Sequence, residues 1–411
     1  MISALLQPFM AAGPWIVVVS KLGERELTMD VRITKPLKSA LSRRATITTL
    51  AAVLLVPLAL NAALADTSPK ATSDDAQMAA LYAKAKTEGG NLTVYMGGDM
   101  PGQWDAIGNA FMKAFPEIKV NIVVDLSKYH DARIDNQLAN KNLVPDMAVL
   151  QTLQDFDRWK QNGVLLNYKP IGWNNIFANA KDADGYWTGA FYGAFAPMIQ
   201  KSELTGDPSS FKATDLLAPK YKDKLIFTYP NDDDAVLFGF KLLTEKYGWD
   251  WLKGIAAQNP ALVRGLPNSS AGVSSGKYLA SLATAGDPGQ NAVAILDNSD
   301  PFISWAQRAA IFKAAQHPET AKLFVSWLVS APVQKMAIAS WTWSVRKDVA
   351  QPAWLKPLAS YKNTDTTAFG KFMSDRAGVE LFRSQLELYF RAVTGVDPAS
   401  PSAALGLTPG R

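Results

Sequence analysis

The chain has 411 residues, with 42 Lys and Arg against 37 Asp and Glu, a formal charge of +5, no Cys and two His. The lack of Cys excludes disulfides, thiol nucleophiles and Cys-bearing zinc sites, and a Ser-His-Asp triad would have to use His130 or His317. An apolar fraction of 48% over this length is enough for roughly two domains with cores of their own.

At the N-terminal end, Arg32, Lys35, Lys38, Arg43 and Arg44 precede an apolar run, Leu50 to Leu60. That run is too short to span a bilayer and is followed by Ala63-Leu64-Ala65. Basic flank, apolar core and small-x-small site together predict an export signal over 1–65, with Met29 as the expected true start and Asp66 as the first mature residue. Ser42-Arg43-Arg44 carries a weak twin-arginine signature. Residues 1–65 hold seven of the Lys and Arg and three of the Asp and Glu, so the rest carries 35 against 34. At that balance neither nucleic acid nor an anionic membrane surface is an expected partner.

Beyond the signal, helix and strand alternate. Asp74 to Glu88 reads as a helix stopped by Gly89-Gly90, and Asn91 to Met96 as a strand running into Gly97-Gly98-Asp99. A helix follows over Trp104 to Phe115, a strand over Ile118 to Val124 and a helix from about Tyr129 to Asn140. Pro145 to Leu150 is the next strand, ending at Gln151, and Leu153 to Gln161 the next helix. This order predicts a parallel sheet with helices on both faces, whose ligands sit beyond the carboxyl ends of the strands. Gly98, Asp99 and Gln151 lie at those ends, as turn residues or as ligand contacts. His130 reads as a surface residue.

Ala190 to Ile199 is expected to cross as a strand into a second lobe. There Leu225 to Tyr229 reads as a buried strand, broken by Pro230-Asn231, with a helix from Ala235 to about Tyr247. Between them stand Asp232, Asp233 and Asp234. A strand-to-helix turn offers free N–H groups that suit an anion, and here carboxylates fill the spot. One Asp caps the helix, and the others either are solvated or face a cationic or hydroxyl-rich ligand. Trp249 to Ala257 is predicted as helix, about Ser274 to Ala283 as helix and Ala292 to Leu296 as strand. Asp297 to Pro301, with Asn298 inside it, forms a polar turn before the chain crosses back. Two crossings predict a hinge with a ligand cleft between the lobes. The expected boundaries are 66–190 with 300–345 for the first lobe, and 191–299 with 346–411 for the second.

Trp341 and Trp343 stand two apart and would share a face in an extended segment, while Trp305 follows the second crossing. Such tryptophans either wall a site for an organic cation or pack the core and hinge. Arg346 would pair with a ligand carboxylate or with an acid of the opposite lobe. His317 reads as a helix-start residue.

Several segments carry a family resemblance. NLTVYMGGD, FMKAFPEIKVNIVV, PDMAVL with Gln151, HPETAKLFVSWLVSAPVQKM and WSVRKDV together resemble the solute-binding proteins of ABC importers, in the branch that binds ferric iron, thiamine, polyamines or aminophosphonates. The likeness covers nearly all of residues 75–395. It implies an α/β, two-lobed periplasmic-binding-protein-like fold of type II with a hinge of two crossing strands. It also implies a periplasmic monomer that captures a small-molecule solute and passes it to ABC permease subunits, with no catalysis and no resident cofactor. In the ferric binders adjacent tyrosines hold the metal. Here Leu282-Ala283-Thr284 stands at that place and no adjacent Tyr pair occurs, so no metal is expected. The alternatives are an exported carboxylate-dependent hydrolase or lyase on the same scaffold, or a ferric iron binder.

Overall fold

The computed structural model describes residues 73–399, apart from 339–342, 352 and 354. All the described residues belong to one compact unit. The expected export signal and Trp341 therefore lie outside the described residues.

The first lobe is built on three parallel strands. Helix α1 (Ser73–Thr87) leads into β1 (Asn91–Gly97), which pairs with β2 (Lys119–Asp125) on one side and β3 (Met147–Leu150) on the other. Helices α2 (Asp105–Ala114), α3 (Ser127–Ala139) and α4 (Leu153–Gln161) make the connections. The strands read as apolar runs because both faces are covered. Val94, Met96, Met147 and Val149 pack with Phe111 and Phe324 on one face, while Tyr95, Ala148 and Leu150 pack with Phe156 and Trp159 on the other.

The two crossings are β4 (Thr188–Gln200) and β9 (Ile303–Ile311), which run antiparallel to each other from Thr188↔Ala309 to Phe195↔Ile303. β9 continues the first lobe's sheet beside β3, and the far end of β4 enters the second lobe, where it pairs with β7 (Ala280–Thr284) and β8 (Ala292–Ala294). The expected two-lobed α/β fold with a hinge of two crossing strands is the one observed.

In the second lobe β5 (Ile226–Thr228) pairs in parallel with β6 (Ala261–Val263), flanked by α5 (Asp234–Tyr247), α6 (Trp249–Ala257) and α7 (Leu266–Ser274). Phe227 and Phe240, both fully buried, meet edge to face at 5.5 Å, and Phe390 closes the cluster. The expected helix over Ser274 to Ala283 is corrected here: the helix ends at Ser274, and Ala280–Thr284 is a strand with all five residues buried. Helices α8 (Pro318–Leu328) and α9 (Ala331–Ile338) pack onto the first lobe, and α10 (Ala368–Ser374) with α11 (Arg376–Phe390) onto the second. Gly239 of α5 is required by a close approach, since a Cβ there would sit 2.6 Å from Ala283 Cβ.

Candidate functional site

Five strand ends converge between the lobes: Gly97–Asp99 after β1, Asp125 ending β2, Gln151 after β3, Asp232–Asp234 after β5 and Arg264-Gly265 after β6. These are the places where an open α/β sheet binds its ligands.

The three consecutive acids have separate roles. Asp233 is the N-cap of α5, its Oδ1 accepting from the Ala235 and Val236 N–H groups at 2.8 and 2.9 Å. Gln151 Nε2 donates to the same oxygen from the other lobe at 3.2 Å. Burial pushes the Asp233 carboxyl up to about 6, with Asp234 adding to the rise and the two helix N–H groups and Gln151 opposing it. Asp232 is 8% exposed and held by two cations. Lys128, at the start of α3 in the first lobe, donates its ammonium to the Asp232 carboxylate and, at 2.7 Å, to its backbone carbonyl. Arg264 Nε donates to Asp232 Oδ2 at 2.7 Å, and its Nη2 reaches Tyr129 Oη in the first lobe at 2.9 Å. Burial alone would raise the Asp232 carboxyl, but Arg264 and Lys128 outweigh it and hold it below the usual range. Asp234 is paired with Arg383 of α11.

Asp99 faces these acids from the first lobe. Its backbone N–H is fixed by Gln103 Oε1 at 2.7 Å, and the Leu266 N–H at the start of α7 favours its charged form. Burial pushes Asp99 up to about 8, and the charges of Asp233, Asp232 and Asp397 add to the rise. Gly98 is a packing position: its N–H donates to the Asp125 carbonyl at 3.0 Å, and a Cβ would lie 2.8 Å from both Gln103 and Val124. Behind them Asp125 and Arg133 form a buried pair at 2.7 Å. His130, expected at the surface, is instead fully buried, bonded to the Val123 carbonyl and Arg133. Burial and the Arg133 charge hold it neutral, down to about 3. His317 starts α8, with its backbone N–H donating to Asp146.

Gly98, Asp99, Gln151 and Asp232–Asp234 are thus brought together, whereas Asn298, Trp305, Trp343 and Arg346 are placed elsewhere. Asn298 braces its own turn, bonding the Phe211 carbonyl and the Asp300 N–H. Trp305 is buried edge-on to Phe195 at 4.8 Å, its Nε1 on Gln307. Trp343 is 2% exposed in the hinge core and donates to the Lys356 carbonyl. Arg346 is forked onto Asp348 and also bonds the Val329 carbonyl, so its charge is satisfied within its own segment. Lys128, Tyr129, Arg264 and Arg383 were not anticipated. Arg264 follows β6, a three-residue strand that leaves no pattern in the sequence, so nothing there pointed to it. Among the described residues no three His, Cys, Asp or Glu are grouped as a metal site would need.

This fold, with its convergent strand ends, is a two-lobed, periplasmic-binding-protein-like one. The family described as bacterial extracellular solute-binding protein matches residues 142–361, more than half of the chain, and the chain belongs to that family. No curated protein sequence matches it. Similar solved structures include the substrate-binding protein of an ABC transporter from Agrobacterium tumefaciens, 16% identical, covering 75% of this chain and 96% of that one with a TM-score of 0.64. AfuA from Actinobacillus pleuropneumoniae, solved with fructose-6-phosphate, is 15% identical over 74% of this chain and all (100%) of that one, with a TM-score of 0.61. Iron-bound HitA from Pseudomonas aeruginosa is 19% identical over 72% of this chain and 99% of that one, with a TM-score of 0.59. Among the described residues no helix is long and apolar enough to cross a membrane.

Proposed function

We propose that the chain is the periplasmic capture component of an ABC importer, closing its lobes on one small solute that carries an amine, another cation or several hydroxyls, and presenting it to the permease. The observation that carries this reading is the set of groups now on the acids. Asp232 and Asp233 are met across the cleft by an ammonium (Lys128) and a carboxamide (Gln151), and within the lobe by a guanidinium. These are hydrogen-bond donors, and a donor-rich solute can take over the places of Lys128 and Gln151 at the same oxygens. An anion would meet the Asp232 carboxylate, and among the described residues the cations beside it, Lys128 and Arg264, are already paired with that carboxylate, in a setting where charge interactions are strong.

Native mass spectrometry of protein purified from the periplasm tests the reading. The parent should retain an amine or polyol, and Asp232→Asn should lose it, because removing one partner of a desolvated charge pair costs about 2–5 kcal/mol of affinity. Asp233→Asn should keep the helix cap, since Asn caps as well as Asp. A retained anion, such as the sugar phosphate named for the Actinobacillus neighbour, would overturn the reading.

A further inference from the structure

After α11 the chain does not leave the molecule but runs back over the strand ends. Asn231 Nδ2 donates to the Arg391 carbonyl at 3.0 Å, Tyr229 Oη meets Thr394 Oγ1 at 3.0 Å and Arg264 Nη1 reaches the Gly395 carbonyl at 3.3 Å. Pro398 then lies against Gly265, where a Cβ would come within 3.1 Å of the proline ring and 3.4 Å of Asp99 Cβ. Gly265 has φ +79 besides, so both its backbone and its neighbours call for glycine. Asp397 is set beside Asp125 and Asp99, each of which feels its charge. Its Oδ1 accepts the Ala399 N–H at 3.0 Å, its buried Oδ2 has no hydrogen-bond partner among the described residues, and Ala399 itself is 2% exposed.

We infer that residues 392–399 are a built-in occupant of the inter-lobe cleft, a peptide plug that touches Tyr229, Arg264 and Gly265 on one lobe and brings Asp397 near Asp99 and Asp125 of the other, and that must leave before a solute enters. The inference rests on the cleft being the solute site. The plug is a self-limiting one. It brings a third acid beside Asp99 and Asp125, which lifts both of their carboxyls and so opposes its own seating, whereas a cationic solute at the same point is attracted. The occupant therefore holds the cleft against water and weak binders but yields to the ligand whose charge the cleft complements. Among the described residues its hydrogen bonds to the cleft are one hydroxyl pair and one guanidinium–carbonyl bond, with the Pro398 ring and Ala399 packed beside them.

The seat can be tested without any solute, so that its failure is distinct from failure of the solute reading. Hydrogen exchange is compared between the full chain and a chain ending at Arg391. The shortened chain should exchange at least tenfold faster at 125–126 and 264–266, and a fluorescein-labelled peptide of residues 392–399 should bind it. The full chain, whose own copy is in place, should bind that peptide at least tenfold more weakly. Should the shortened chain fail to fold, Thr394→Ala with Pro398→Ala in the full chain makes the same exchange comparison. Unchanged exchange at those two places in the folded variant overturns the inference, whatever solute the protein carries.

Discussion

Arg133 and Asp125 meet at 2.7 Å with side chains 1% and 0% exposed, directly behind the cleft. A pair this deep contributes little net stability over an apolar isostere, yet breaking it leaves one charge stranded. Arg133→Leu should therefore lower unfolding stability by about 3–5 kcal/mol, and the double variant Asp125→Asn with Arg133→Leu should recover most of the loss. Denaturant melts of the three chains check this, and a double variant as unstable as the single one would contradict it. At this scale the sequence was legible where partners are local. Asp233 capping α5 is a property of three neighbouring residues, and the run of acids announced itself. The cations that neutralise those acids come from positions 128, 264 and 383, joined only by folding, and no spacing rule reaches that far. His130 was misplaced for a different reason: its partners are near in sequence, the Val123 carbonyl and Arg133, but a polar ring on a helix gives no sign that it faces inward.

Helix α5 and strand β7 touch through the pair Gly239 and Ala283. Gly239→Ala would overpack that contact and should cost about 1–3 kcal/mol. Ala283 is itself held at φ 46, where glycine is at ease and alanine is strained. Ala283→Gly should restore the Gly239→Ala variant to near parental melting, and a cumulative loss would refute the contact. The elements flanking this pair show the limit of pattern reading. Leu153–Gln161 and Trp249–Ala257 are amphipathic and bounded, and were placed residue for residue. Ala280–Thr284 is a buried run of five, which periodicity cannot tell from a helix segment, and the three-residue β6 gave no pattern at all.

For the whole molecule, the acids on the meeting faces make lobe closure depend on pH. Asp99 owes its rise to burial, then to Asp233 and Asp232 of the opposite lobe and to Asp397. Arg133 and the Leu266 N–H partly oppose the carboxyl-rich setting, while Lys128 and Arg264 are committed to Asp232. A carboxyl raised from its ordinary 3.8 to about 8 binds a proton in the closed form that the open form releases. Closure is thus favoured as pH falls from about 8 toward 4, with Asp233, raised to about 6, acting in the same direction. Asp232, held low by its cations, opposes this only below its depressed value, where protonation breaks the Lys128 and Arg264 contacts. Small-angle scattering of the solute-free protein should give a smaller radius of gyration at pH 5.5 than at pH 8.5. A radius independent of pH, or one that grows on acidification across that range, would rule the mechanism out.

The pairing of β4 with β9 has a mechanical meaning for that motion. Between Phe191 and Phe195 the two strands pair with each other, while β3 joins β9 only from Arg308 onward and β7 and β8 join β4 only from Ala196 onward. The stretch between is a two-stranded ribbon, the form of sheet that twists most readily. It is splinted at one rung, where Tyr192 and Trp343 exchange backbone hydrogen bonds of 2.8 and 3.1 Å. The connection between the lobes is therefore a torsion bar rather than a jointed loop. Opening winds or unwinds it without breaking a rung, the elastic restoring force is spread over the whole ribbon, and the position of the Trp343 splint sets how much of its length is free to turn.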